Sequence, residues 1–327
     1  MKLNGIPTSL APESSTTYFV RDPQGAWYPS SDNLLHEVEA SCIKMYGILA
    51  EKVFGTMNNY HVSSPLFPEL VTTSGMNSES IVSKSQFEEL LRNIPDDFPI
   101  SINQALYLAD CFKLVSSIQE SNKEVMQLQG EFYFSFNCEE MFYPKIEEPD
   151  GIRYVTSPVV TKLYAMLSFI YIRMHSMLDY TTKLALECEN IKTDFDTYPR
   201  LASKNKLYSD KRGVSLNNVS GTIFESCSFI NEIEAIRNHV IHNGLLDDLP
   251  KAYRVVADGC CVEKFILLPD INDSGRFESY KNRNLFFSQE NKINEKLPSI
   301  INEFQKRLIE TLEQLAEGQK GTVSTAG

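Results

Sequence analysis

The chain has 327 residues, 42% of them hydrophobic and 23% charged, with a formal net charge of -12. This composition supports one large or two modest globular domains and excludes long disorder outside the ends. The charge argues against a general nucleic-acid coating protein, although a local basic patch on an acidic molecule can still hold a phosphate backbone.

Seven cysteines, at 42, 111, 138, 188, 227, 260 and 261, show no CxxC or Cys/His spacing, so neither a metal nor a cofactor is expected. The opening "MKLNGIPTSLAPESSTTYF" has no apolar core of a signal peptide. The most apolar run, "LYAMLSFIYIRM", is interrupted by Arg173 well short of a membrane span. The expectation is a cytoplasmic protein with reduced thiols and no membrane partner.

In chain order, residues 1–30 are rich in Pro, Ser and Thr and read as an irregular arm, with Trp27 carrying no signal. A helical region with short strands then occupies 31–150. It begins with a helix over 33–54 behind Asp32 as N-cap. A loop with Pro65, Pro68 and Gly75 follows, then a short helix near 84–94 and a longer one over 101–128. "EFYFSFN", residues 131–137, alternates as a strand would, and "GIRYVT" is its expected partner. A helical domain over 151–317 opens with the strongest signal in the chain, a helix over 157–192 with Ser157 as N-cap and Pro158 at its first position. A basic loop, "RLASKNKLYSDKRG", leads to a second helix at about 219–246 that stops near Asn243 and Gly244. A hairpin near 252–268 turns at Asp258 and Gly259. The last helix, about 290–317, is bent at Pro298, and 318–327 reads as a flexible tail.

The stretch "EAIRNHVIHNG", residues 234–244, carries the chemistry. On a helical wheel, Ile223, Phe229, Ile230, Ile233, Ile236, Val240 and Ile241 share one arc, and Arg237 falls inside it. A guanidinium on a buried face requires a carboxylate, a cleft or a partner subunit. Glu234, Asn238 and His242 follow one another at four-residue steps along the border of that arc. Arginine offers a planar fork of donors to a phosphate, and an imidazole moves protons near neutral pH.

Arg237-Asn238-His239-Val240-Ile241-His242 resembles the signature of the HEPN superfamily: Arg, a polar residue, three variable residues, His. The Asn at the second position, the place near a helix C-terminus and the long preceding helix fit the same pattern over residues 157–247. The resemblance implies a mainly α fold with minor β, an antiparallel helical bundle of HEPN type with a small β-hairpin insertion. It further implies a metal-independent endoribonuclease of antiviral defence or toxin type. Arg237 and His242 are then catalytic, with Asn238 as their polar support and His239 at a variable position. One His is too few for two proton transfers, so a homodimer with the site at its interface is expected, with RNA as substrate and an antitoxin or sensor as a further partner. In one branch of the family a modifiable Tyr lies two residues after the motif His; here that position is Gly244.

Other residues admit two readings each. Asp179 either supports Arg237 or His242 from the preceding helix or forms a solvated or core pair with His175. Glu234 reads better as a salt-bridge partner of Arg237 than as a catalytic group. Arg200, Lys204, Lys206, Lys211 and Arg212 either guide RNA or are merely solvated. Cys260 and Cys261 read as small buried side chains, and His36 and His61 as surface or packing residues. The alternative to an enzyme is a non-catalytic helical interaction or regulatory protein.

Overall fold

The computed structural model describes residues 19–29, 34–142 and 149–321. Asp32, most of the expected arm and the end of the expected tail lie outside them. Helix accounts for 56% and strand for 9%, so the chain is mainly α, as expected from its long periodic segments. The elements run β1 (Phe19–Arg21), β2 (Trp27–Pro29), α1 (Leu34–Phe54), α2 (Met57–Ser63), α3 (Glu69–Thr72), α4 (Lys84–Arg92), α5 (Ile102–Cys138), β3 (Gly151–Val155), α6 (Pro158–Glu189), α7 (Ser228–His242), β4 (Ala252–Ala257), β5 (Cys260–Ile266) and α8 (Ile293–Gly321). No helix among the described residues is long and apolar enough to cross a membrane.

The chain forms two compact units, each assembled from separated stretches. The first takes the described residues before 38 with those of Ser121–Ser176 and Ser220–Leu308. The second takes Val38–Glu120, Met177–Val219 and the described residues from Ile309 onward. Helices α1, α5, α6 and α8 each contribute to both.

In the first unit, β1 and β2 pair antiparallel and bring Trp27 into the core. Its indole Nε1 donates to Glu131 at 2.8 Å and its backbone N–H to Gln127 at 3.0 Å. Gly130 lies under the ring, where a Cβ would collide with Trp27, so the single tryptophan anchors the arm. The expected strand at 131–137 is instead the last part of α5. Phe132, Tyr133 and Phe136 are fully buried, at helical spacing, and the rings of Phe132 and Phe136 stack one turn apart. Three-dimensional packing thus overrides a local alternation.

Tyr133 also repairs α8. Pro298 sits inside that helix and supplies no N–H to the carbonyl of Asn294 four residues before it. The Tyr133 hydroxyl donates to that carbonyl at 2.7 Å. The Asn294 side chain in turn accepts the N–H of Ile266 at 3.0 Å, tying α8 to the sheet.

That sheet has the order β3-β4-β5, all antiparallel. "GIRYV" therefore forms a strand, but pairs with β4, Gly151 opposite Val256. The β4–β5 turn has Asp258 and Gly259 at φ +52° and +68°, the two left-handed positions a tight hairpin needs. The Asp150 carboxylate accepts both of their N–H groups at 3.2 Å. Cys260 is exposed and Cys261 half-buried, not the core residues expected, because they start an edge strand just after the turn.

The second unit packs the rest of α1 against the first part of α5. The expected proline loop holds α2, a 3-10 turn at Ser64–Leu66 and α3, with Pro65 and Pro68 at helix starts where a missing N–H costs nothing. Ser83 and Gln86 cap α4 reciprocally. At the centre, the fully buried Glu187 accepts from Tyr107 Oη at 2.6 Å, Ser203 N at 3.0 Å and Ser203 Oγ at 2.9 Å. Burial holds the Tyr107 hydroxyl in its protonated form far above the ordinary phenol range, and pushes the Cys188 thiol up to about 12.

Candidate functional site at the end of α7

The helix that carries the Arg–Asn–His stretch starts at Ser228, nine residues later than its periodicity suggests. Residues 220–227 form a loop instead. Gly221 adopts φ +76°, and Arg307 of α8 donates to Thr222 O at 3.2 Å and to Glu225 at 2.6 Å while also holding Glu303. Ile223 is buried, but from this loop. At the start of α7, Asn231 donates to Ser274 O at 3.0 Å. Gly275 passes so close that a Cβ would strike the Ser228 carbonyl.

The buried residues of α7 are Ile230, Ile233, Ile236 and His239, a row at three-residue steps. That row is rotated from the expected arc, and the consequence is large. Arg237 is half-buried rather than sealed in, Asn238 and His242 are exposed, and Ile241 is 48% exposed. The Arg237 Nη1 donates to Asn238 Oδ1 at 2.8 Å, and Glu234 lies half-buried one turn earlier. The Asn thus orients the half-buried guanidinium.

His239 is the structural histidine. Its Nε2 lies 3.0 Å from Leu245 O, and since a carbonyl only accepts, Nε2 carries the hydrogen. Its ring leans on Phe277 at 5.2 Å, and its buried Nδ1 has no hydrogen-bond partner. Gly244, at φ +138°, turns the chain so that Leu245 folds back onto His239, while Asn243 N and Gly244 N both bond to His239 O. This closure of the helix fixes the backbone of His242, leaving one accessible imidazole at the helix end.

Asp179 accepts the Tyr208 N–H at 2.7 Å, at the start of the 3-10 turn at Tyr208–Gly213. Tyr171 of α6, a residue the motif does not include, donates to Glu232 of α7 at 3.2 Å. Burial raises the Glu232 carboxyl above its usual range, opposed by that hydrogen bond. Glu232 also lines a cavity of about 710 Å³ with Asp270, Asp273, Glu278 and Glu290. Its acidic walls repel phosphate, and among the described residues no His/Cys/Asp/Glu group is arranged to hold a metal.

The five basic residues of the loop lie in the second unit. Lys206 pairs with Asp210 at 3.8 Å, Lys211 lies over the Tyr208 ring and bonds its hydroxyl at 3.0 Å, and Arg212 is exposed. Arg200 and Lys204 instead face a cavity together with Lys113 and Lys183. The last two had no local signal in the sequence, since they come from α5 and α6. No protein-family model, curated protein or solved structure matches the chain.

Proposed function

We propose that the end of α7 is the active site of a metal-independent, HEPN-type endoribonuclease, acting in the cytoplasm as a defence or toxin effector and completed by a second copy of the chain. The observation that carries this reading is the end of α7, where Asn238 holds the half-buried Arg237 guanidinium and His242 presents an exposed imidazole.

In the reaction, a ribose 2'-hydroxyl gives up its proton to a base and attacks the adjacent phosphorus. The 5'-oxygen leaves with a proton from an acid, giving a 2',3'-cyclic phosphate and a 5'-hydroxyl. Arg237 stabilises the negative charge that builds on the phosphoryl oxygens. Two proton transfers call for two imidazoles, and of the two motif histidines only His242 is accessible, because His239 is locked against Leu245 O. Ile241, Leu245 and Leu249 are 48%, 58% and 56% exposed next to the motif, and apolar side chains clustered in sequence beside a half-site are suited to cover by a second copy.

The same exposed apolar residues also favour a non-catalytic interaction surface, and folding and activity separate the two. For the ribonuclease, His242→Ala stays folded and dimeric but loses cleavage of a mixed RNA pool, while Ile241→Asp with Leu245→Asp gives an inactive monomer. Retention of cleavage by His242→Ala would exclude this site.

A further inference from the structure

Four cations and a single carboxylate, Asp110, line one concavity of the second unit. Its volume is about 410 Å³, within the range of small-molecule sites. Helix α5 contributes Asp110, Lys113, Leu114 and Ser117, at spacings that share one helix face; α6 contributes Tyr180 and Lys183; residues 198–204 contribute Tyr198, Arg200 and Lys204. Lys113, Lys183, Arg200 and Lys204 make no salt bridge and no side-chain hydrogen bond among the described residues, unlike Lys206 and Lys211 just downstream. The only carboxylate in the wall, Asp110, accepts the Tyr198 hydroxyl. That leaves about three positive charges uncompensated in a chain of net charge -12, a local field that concentrates a polyanion.

A second cavity, of about 610 Å³, shares Lys113 and Ser117 as wall residues. Its other walls are largely apolar and aromatic, including Tyr46, Tyr60, Phe67, Met76 and Phe112. Aromatic side chains beside a cationic pocket are the two halves of nucleotide recognition: rings to pack a base, charge-assisted donors for phosphates.

We propose that these two adjoining cavities bind a nucleoside di- or triphosphate, with the phosphates on Lys113, Lys183, Arg200 and Lys204 and the base among the aromatic walls. A nucleotide fits better than an RNA strand, because the cations face one concavity and do not extend along a track; Lys206 and Lys211 are already engaged. The site contains no residue of the α7 motif, and its test is independent of the ribonuclease reading.

Titration calorimetry on the full chain with ATP and GTP, with adenosine and a 20-nucleotide single-stranded RNA as further probes, decides it. ATP or GTP should bind while adenosine, lacking the phosphates, binds at least tenfold more weakly. Lys183→Gln with Arg200→Gln should weaken the nucleotide at least tenfold, Phe112→Ala should weaken it several-fold, and Lys206→Gln with Arg212→Gln should leave it unchanged, all with unaltered circular dichroism. Absence of ATP and GTP binding at millimolar concentration, or equal binding by the Lys183/Arg200 variant, would overturn the proposal. So would RNA binding that depends on Lys183 and Arg200 while neither nucleotide binds, an outcome that would make the cavity part of a nucleic-acid surface.

Discussion

The end of α7 and the cationic cavity of the second unit hold their charge in opposite ways. At α7 the half-buried guanidinium is satisfied in part by its own neighbour, Asn238, and Ile241, Leu245 and Leu249, close by in sequence, are exposed. In the cavity four cations line the walls with a single carboxylate, Asp110, and make no salt bridge among the described residues. An oriented polar group near exposed apolar side chains suits a macromolecular partner, whereas clustered cationic charge suits a compact anion. The two regions are therefore expected to respond to different substitutions.

The largest effect should fall on α7 alone. His242→Ala is expected to lower RNA cleavage by about 10²–10⁴-fold, the usual worth of a general acid or base, and to leave nucleotide binding by the cavity intact. Next comes the frame of the cavity. Ser203, at the end of the 198–203 segment, is held by the buried Glu187, so Glu187→Leu strands buried donors at about 1–3 kcal/mol each. It should lower the melting temperature and nucleotide affinity together while sparing cleavage. A variant that loses cleavage and binding in parallel would erase the distinction between the regions.

A smaller effect serves as a control, since it should disturb neither region. Tyr133→Phe leaves the Asn294 carbonyl without its donor, at a cost of about 1–3 kcal/mol. Adding Pro298→Ala restores a helical N–H to that carbonyl, and thermal melts should show partial recovery in the double variant. A pH dependence should follow from Glu232. Because burial raises its folded-state pKa above that of the unfolded chain, the folded state binds the extra proton. Its favourable contribution is present below the ordinary carboxylate range and is lost as pH rises through the raised value. Glu232→Gln should therefore raise the melting temperature at pH 7.5 more than at pH 4. Smallest of all, Lys206→Gln with Arg212→Gln should change stability by under about 0.5 kcal/mol, as exposed charges do.

The sequence made local features legible and distant ones not. Ser157 and Pro158 announced α6 because cap and first-turn preferences are written in adjacent residues, and Asp258–Gly259 announced the hairpin for the same reason. The end of α5 misled because Phe132, Phe134 and Phe136 alternate in sequence; Trp27 and Asn294, more than a hundred residues away, decide which aromatics are buried. The rotation of α7 was equally hidden. Gly244 was visible as a stop signal, but not that it returns Leu245 O to His239, which makes His239 the buried row's last member and frees His242. The basic loop was visible as a charge run, yet Lys113 and Lys183, which join Arg200 and Lys204 in one cavity, are separated from it along the chain.

The most direct measurement is the analysis of RNA ends after incubation with wild type and His242→Ala in EDTA, with the oligomeric state of both followed by sedimentation. The account predicts 2',3'-cyclic phosphate and 5'-hydroxyl ends from dimeric wild type and intact RNA with an equally dimeric His242→Ala. The same ends produced at the same rate by His242→Ala, or cleavage by wild type that EDTA abolishes, would contradict it.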